Sequence, residues 1–292
     1  MKIAIVTDST AYISEDIRRE NDIYMLPLQV HLNGECYREE LDITAEEFYL
    51  KMRDSDEFPT SSQPAIGETI ELFEKLAKDY DAIISIHLST GISGTFQSVS
   101  TLRDEFGMCA IYPFDSEISC YPQARFVLEA ARLAKKNIEP EQIIERLDQL
   151  KTRTKAYFLV DDLKNLQKGG RLSESAALVG SLLKIKPILH FSDKKIVVFE
   201  KIRTRKKAVV RLELLLAEAL KQADYPLIAT VIHGNNEEVG QAWMEELKSE
   251  YSDIRFELSY FGPVIGTHLG EGALGLTWTE DVARNHPTLE SM

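Results

Sequence analysis

Two glycine-containing stretches of the sequence carry a side chain that could do chemistry. Ser93 lies in STGISGTFQS, residues 89–98, directly after the apolar run AIISIHL. His268 lies in GPVIGTHLGEGALGL, residues 262–276, in which five of fifteen residues are glycine. A serine activated by a histidine is one route to acyl transfer, so an acyl hydrolase with Ser93 as nucleophile and His268 as base is one hypothesis.

The spacing around Ser93 matches none of three common motifs. The stretch lacks the third glycine of G-x-G-x-x-G and the lysine of a P-loop, which disfavours a nucleotide-binding enzyme. Gly94 follows Ser93 directly, whereas a hydrolase nucleophile elbow requires G-x-S-x-G. The remaining interpretation is a turn of hydroxyl and N–H groups at the carboxyl end of a strand, before a predicted helix. Such a turn favours an anion or another oxygen ligand.

A second hydroxyl stretch, FPTSSQPA, spans residues 58–65. Its two prolines predict an extended and stiff backbone, which can present Thr60 or Ser61 to a ligand at little entropic cost. Arg171, after Gly169-Gly170, could hold an anion. The histidines outside the glycine-rich stretch lack metal-ligand spacing, so we predict no metal site.

The rest of the sequence predicts the elements that must position these residues. Apolar runs alternate with amphipathic stretches in the first half, which is typical of an α/β domain with a parallel sheet. Two later strand-like runs are separated only by SDK, which predicts a hairpin and antiparallel pairing. We predict an α/β domain over 1–153, an α+β domain with a mostly antiparallel sheet over 154–280, and a loosely held tail over 281–292. The glycines predict that residues 262–276 form loops.

Composition restricts the class of protein. The 292 residues carry a net charge of −13, which argues against nucleic acid as a partner. No apolar run approaches the length of a membrane span, and the polar start predicts a cytoplasmic protein. Three widely spaced cysteines predict reduced thiols. Residues 151–211 nevertheless hold 16 Lys/Arg against 5 Asp/Glu, which predicts a surface for an anionic partner.

Taken in order, the stretches resemble the motifs of the DegV family of bacterial fatty-acid-binding proteins. The resemblance rests on IAIVTDST, TSSQP, STGISGTFQS, KGGR with GSLLKIKPIL, and GPVIGTH with GALG, over residues 3–278 as one unit. It implies a two-domain DegV-like fold in which the N-terminal domain is Rossmann-like. The family's usual G-P-G is Gly270-Glu271-Gly272 in this sequence.

The resemblance implies a lipid carrier that is not itself an enzyme and needs no cofactor. Such a carrier holds one long-chain, palmitate-like fatty acid and presents its carboxylate to a fatty acid kinase, which forms an acyl phosphate for phospholipid synthesis. By position, the carboxylate-binding residues would be Ser61, Ser93 and His268. The family's T-S-Q-P reads T-S-S-Q-P here, so the hydroxyl could instead be that of Thr60.

The segment KIRTRKK, residues 201–207, holds five positive charges in seven positions. Like charges this close repel, which makes a purely structural role a poor explanation. We therefore expect Arg203 and Arg205 to dock the kinase.

Overall fold

The computed structural model describes residues 1–161, 163–173 and 185–285. The chain divides into two compact units. The first unit comprises Met1–Thr152, Asp193–Lys195 and Gly262–Thr267, and the second comprises Arg153–Ser192, Ile196–Phe261 and His268–Met292. The two short segments of the first unit fall inside the range predicted for the C-terminal domain, 154–280. Residues 286–292 of the predicted tail lie outside the described residues.

The first unit contains a parallel sheet with strand order β2-β1-β6-β7. Apolar side chains of β1 and β6 form a core with α3, as the continuous apolar runs predict. The strands of this sheet are β1 (Ile3–Asp8), β2 (Ile23–Leu26), β6 (Ala82–His87) and β7 (Ala110–Asp115). The helices of the first unit are α1 (Glu15–Glu20), α2 (Ala45–Arg53), α3 (Ile66–Leu76), α4 (Thr95–Ser100), α5 (Tyr121–Lys135) and α6 (Pro140–Arg153).

The first unit also contains a three-stranded antiparallel sheet that the sequence pattern did not predict. It has the order β4-β3-β5, with β3 at Gln29–Leu32, β4 at Glu35–Arg38 and β5 at Thr60–Ser62. Pro27 interrupts the apolar run YMLPLQVHL, and β2 and β3 therefore belong to different sheets. The stiff hydroxyl stretch is the short edge strand β5.

The second unit contains a six-stranded sheet with order β10-β9-β8-β13-β11-β12. Strands β11 and β12 pair in parallel, whereas β13 is antiparallel to both β11 and β8, and β8 is antiparallel to β9. The strands are β8 (Lys155–Leu159), β9 (Ile188–Ser192), β10 (Lys195–Glu200), β11 (Leu227–His233), β12 (Arg255–Tyr260) and β13 (Leu274–Glu280). The helices are α7 (Lys164–Lys168), α8 (Arg205–Gln222), α9 (Glu237–Glu250) and α11 (Val282–Asn285).

The second unit's core packs α8 and α9 against this sheet through Leu212, Leu216 and Trp243. The fold class is confirmed: an α/β chain with a parallel sheet in its N-terminal part and a mixed, mostly antiparallel sheet in its C-terminal part. Among the described residues, no helix is long and apolar enough to cross a membrane.

The prediction that residues 262–276 form loops is wrong. Helix α10 spans Pro263–Leu269, and strand β13 begins at Leu274. Only Gly270 and Gly272 have positive φ, so the other glycines of the stretch need no special backbone. Gly266 leaves room for the Tyr49 side chain, because a Cβ there would lie 2.6 Å from the Tyr49 hydroxyl. The glycine content was misleading as a sign of loops, because Gly266 is explained by close packing against Tyr49 and not by a turn. The start of the tail also differs from the prediction, since Asp281 is buried and α11 follows it.

Glu39 joins three segments of the first unit and is fully buried. Its carboxyl group accepts hydrogen bonds from Ser9 Oγ at 2.5 Å, Tyr12 Oη at 3.0 Å and the Val264 N–H at 2.7 Å. Burial raises the pKa of Glu39 to about 8, although these hydrogen bonds act in the opposite direction. The carboxyl group therefore connects the start of α10 to the turn after β1 and to the residue that follows β4.

We expect Glu39 to make the stability of the protein depend on pH. The folded protein keeps a proton on this carboxyl up to about pH 8, whereas the unfolded chain loses it near 4.5. The free energy of unfolding should thus fall by roughly a few kcal/mol as pH rises through this range. Glu39→Gln should remove that part of the fall, as measured by urea unfolding between pH 4.5 and 8.5.

Glu71→Gln, at an exposed position of α3, is the matched control and should keep the wild-type dependence. An unchanged pH dependence in Glu39→Gln would contradict this assignment.

Candidate functional site

The carboxyl edge of the parallel sheet is organised around Asp8, the last residue of β1. Asp8 Oδ1 accepts hydrogen bonds from the Thr10 N–H at 3.1 Å and the Thr10 hydroxyl at 2.6 Å. Asp8 Oδ2 accepts the Leu88 N–H at 2.9 Å and lies 3.1 Å from His87 Nδ1. The carboxylate therefore fixes where the chain leaves β6.

His87 also shares a hydrogen bond of 2.7 Å with Ser85 through its Nε2. Ser85 and His87 are two residues apart on β6, and both are fully buried. Ser85, His87 and Asp8 thus form a serine–histidine–aspartate series. Because the serine is fully buried within β6, this series is a structural network.

The loop that follows β6 carries Ser93. The Ser93 N–H donates to the Ser89 carbonyl at 3.1 Å, which closes the loop into a turn before α4. The Ser93 hydroxyl accepts a hydrogen bond from the Thr95 N–H at 3.3 Å and lies 2.8 Å from the Thr95 hydroxyl. Ser93 is half-buried. The turn therefore presents a hydroxyl at the carboxyl edge of the sheet, as the sequence predicts.

Strand β5 lies beside this turn. The Gln63 side chain donates to Ser98 Oγ at 2.8 Å, and its Oε1 would lie 2.7 Å from a Cβ placed at Gly94. Gln63 is two residues from Ser61, and Gly94 is next to Ser93. The structure thus brings the two predicted hydroxyl stretches together within the first unit.

The register of β5 separates Ser61 from Thr60. Ser61 pairs with Val30 and Thr60 pairs with His31 in the antiparallel ladder. Paired residues place their side chains on the same face, so Ser61 shares the face of Val30, which is fully buried. Thr60 is exposed and lies on the opposite face.

The buried face next to Ser61 is an apolar cluster, which we call the Val30 cluster. Ile92, one residue before Ser93, packs against it. Both predicted hydroxyl residues therefore adjoin the same apolar surface. The cluster consists of Leu28, Val30, Leu32, Ile43, Phe48, Tyr49, Leu88 and Val264.

His268 belongs to the second unit, where its ring packs against Gly169. A Cβ at Gly169 would lie 2.2 Å from His268 Nδ1, so only glycine leaves room for the imidazole. Burial, together with a smaller effect of the nearby Arg171 guanidinium, lowers the pKa of His268 to about 3. The imidazole is therefore neutral at pH 7. Arg171 itself donates to the Gly169 carbonyl at 2.5 Å.

The two arginines of the basic segment differ in their surroundings. Arg203 is exposed. Arg205 donates to the Gly272 carbonyl at 2.6 Å and lies 3.1 Å from Asp161 Oδ1. Arg205 thus holds the turn before β13, a role that its place in a basic run did not reveal.

Sequence reasoning missed Gln63, Asp8 and Glu39 as residues that shape this region. The glutamine of TSSQP and the aspartate of VTDS stand in the stretches that carry the resemblance, so a signal existed for both. Glu39 lies in ordinary polar sequence and offered none. The described residues contain no cluster of three or more His, Cys, Asp or Glu side chains that could hold a metal ion.

Comparison with known proteins gives concordant matches over nearly the whole chain. The family model of the DegV family, described as an uncharacterised protein, matches residues 2–281. A DegV domain-containing protein of Listeria innocua is 52% identical over 279 residues, which cover 95% of this chain and 98% of that protein.

Two solved structures have the same fold. The crystal structure of DegV, a fatty acid binding protein from Bacillus subtilis, matches with a TM-score of 0.91 and 52% identity, covering 96% of this chain and 100% of that one. A fatty acid binding DegV family protein from Streptococcus agalactiae matches with a TM-score of 0.89 and 34% identity, covering 96% and 99%. Fold, motifs and sequence identity agree, and the chain belongs to the DegV family.

Proposed function

We propose that this protein binds one long-chain fatty acid and presents its carboxylate to a fatty acid kinase. The observation that carries the proposal is the position of Ser61 and Ser93, whose two stretches lie side by side against the Val30 cluster. An apolar surface next to two hydroxyls suits an amphiphile with a small polar head. The fatty acids bound by the relatives from B. subtilis and S. agalactiae support the same ligand class.

The fatty acid tail can supply most of the affinity. A sixteen-carbon chain gains roughly 0.8 kcal/mol for each buried CH2, on the order of 10 kcal/mol before ordering costs. The head group then needs only a few neutral donors. Hydroxyl donors fit this requirement, and they leave the carboxylate reactive toward a phosphoryl donor.

The register of β5 supports Ser61, not Thr60, as the first hydroxyl donor. Ser61 shares a face with Val30, whereas Thr60 is exposed on the other face. A ligand whose tail is buried must have its head group on the buried face. Ser93 is the second donor in the proposal.

His268 is the third polar residue of the proposal, and its assignment rests on the family resemblance. Its depressed pKa makes it a neutral N–H donor at physiological pH. A neutral imidazole can hydrogen-bond a carboxylate without forming an ion pair, as the hydroxyls do.

The kinase surface of the proposal is the basic segment, with Arg203 and Arg205 as docking residues. The exposure of Arg203 supports a contact with a partner. The contacts of Arg205 with Asp161 and Gly272 give it a structural role as well. A test of docking must therefore begin with Arg203 alone.

The direct test of fatty acid binding is native mass spectrometry of the protein purified from bacteria. We expect about one fatty acid per chain, because a ligand of this affinity survives purification. Extraction with organic solvent should release the acid, and the lipid-free protein should rebind it when acid is added. A protein that neither carries nor binds fatty acid in these measurements would contradict the proposal.

Removing a head-group donor should weaken binding while the fold survives. A hydrogen bond to a charged group is worth about 1.5–3 kcal/mol, so Ser93→Ala and Ser61→Ala should each raise the Kd for palmitate by roughly one to two decades. Thr60→Val is the matched control, and it should bind palmitate as the wild type does. Loss of affinity in Thr60→Val with a silent Ser61→Ala would reverse the assignment.

Gly169→Ala should displace the His268 imidazole, because the new methyl group would overlap it. In NMR titrations, the pKa of His268 should rise from about 3 toward the ordinary value of 6.5, since the displaced ring becomes hydrated. We expect the affinity for palmitate to fall in Gly169→Ala, and to fall by a similar factor in His268→Phe. Gly67→Ala is the control, because a Cβ at that helical position meets no atom within 4 Å. A pKa that stays near 3 in Gly169→Ala would contradict the packing argument.

Reversing the charge of Arg203 should separate docking from lipid binding. Arg203→Glu should leave palmitate affinity intact and lower the rate of acyl-phosphate formation with a bacterial fatty acid kinase, because the variant repels an acidic partner surface. Raised salt should reduce the wild-type rate in the same direction.

Lys206→Glu, on the exposed start of α8, controls for net charge, and the double variant with Arg205→Glu measures the further contribution of Arg205. Unchanged kinase turnover with both Arg203→Glu and the double variant would exclude the docking role and leave the carrier function standing.

A further inference from the structure

A two-residue turn contacts the loop that carries Ser93. Asp193 and Lys194 connect β9 to β10 with positive φ values of 47° and 70°, and both residues belong to the first unit. Ser89 Oγ donates to the Lys194 carbonyl at 2.6 Å. The Lys194 ammonium group lies 3.0 Å from Asp115 Oδ2 and 3.7 Å from Glu117 Oε1. The turn is therefore attached both to the loop and to the end of β7.

Asp115 holds the same loop from the other side. It accepts hydrogen bonds from the Thr90 N–H at 3.2 Å and the Thr90 hydroxyl at 2.7 Å. Burial alone would raise the pKa of Asp115, but the hydrogen bonds from Thr90, Glu117 and Lys194 keep it below its ordinary value. Asp115 is thus a charged group at neutral pH, although it is only 7% exposed.

Gly91 lies between these two attachments. A Cβ at this position would lie 2.0 Å from the Lys194 carbonyl oxygen, so the turn and the loop can approach this closely only at a glycine. The Ser93 N–H donates to the Ser89 carbonyl, and Ser89 is bonded to Lys194. The contact between Ser89 and Lys194 therefore also constrains Ser93, through the hydrogen bond between Ser93 and Ser89.

We propose that Lys194 and Asp115 are positioning residues for the head group of the ligand. They hold Ser89–Gly91 in the conformation in which the Ser93 hydroxyl can donate to a carboxylate. Lys194 also neutralises Asp115, a buried anion that would otherwise repel an incoming carboxylate. This inference rests on the proposed fatty-acid-binding function and names two residues that the binding motifs do not include.

The test compares palmitic acid with hexadecanol, which has the same chain length but no charge. Hydrogen bonds to a charged group are worth about twice those to a neutral one, so loss of positioning should penalise the acid more. Lys194→Met should raise the Kd of the acid roughly threefold to tenfold and leave that of the alcohol nearly unchanged. Lys194→Arg should restore acid binding, since it returns the charge.

Lys195→Met is the matched control, because it removes the same charge from the adjacent, exposed position and should bind both ligands as the wild type does. The double variant Asp115→Asn with Lys194→Met should weaken acid binding no more than the stronger single variant does. The reason is that both substitutions remove the same ion pair between Lys194 and Asp115.

Equal losses for acid and alcohol in Lys194→Met, or the same acid-specific loss in Lys195→Met, would overturn the positioning role while wild-type binding stands. A wild-type protein that binds neither ligand would instead overturn the proposed function, and this inference with it.

Discussion

The buried carboxylate of Asp8 determines how the carboxyl edge of the parallel sheet is built. A buried charge is costly unless hydrogen bonds replace its water, and Asp8 meets this requirement with donors from two places in the chain. One oxygen is bound by Thr10 in the turn after β1, and the other is bound by Leu88 and lies next to His87 at the end of β6. Displacing either segment would remove the partners of one carboxylate oxygen. The loop that carries Ser93 begins from this fixed point.

Glu39 is a second buried carboxyl group that hydrogen bonds from separate segments hold in place. Its three donors come from Ser9, Tyr12 and Val264, and burial dominates its pKa, so that the carboxyl group retains its proton at neutral pH. Asp8 thus connects β1 to the end of β6, and Glu39 connects the turn after β1 to the start of α10. Apolar contacts alone allow several similar packings, whereas buried hydrogen bonds require one geometry. Asp8 and Glu39 thereby fix the backbone at Leu88 and Val264, two residues of the Val30 cluster.

The fold was largely predictable from the sequence, whereas the details of the site were not. Continuous apolar runs predicted β1 and β6, because burial on both faces leaves a strong pattern. The short SDK separation predicted the hairpin of β9 and β10. Strand β5 was missed as a strand, since three hydroxyl residues at a sheet edge carry no apolar pattern. Helix α10 was missed because glycine content cannot distinguish a turn from a close approach. The different faces of Thr60 and Ser61 follow from the register with β3, which depends on contacts distant in sequence.

The polar groups assigned to the proposed ligand are uncharged, which suits the proposed carrier function. An enzyme stabilises charge that develops in the transition state, and it does so with preorganised charges or strong donors. A carrier must bind tightly and still release a reactive head group to a partner. If the tail supplies the affinity, hydroxyls and a neutral imidazole are sufficient to orient the carboxylate, and an ion pair would only slow its release.

The histidine of the second unit, His268, meets this condition because burial keeps it neutral, with a pKa of about 3. Arg171, the cation near it, donates to the Gly169 carbonyl. The serine–histidine–aspartate series of the first unit does not support hydrolysis, because Ser85 is fully buried. Its partners His87 and Asp8 form hydrogen bonds that hold the carboxyl edge of the sheet together.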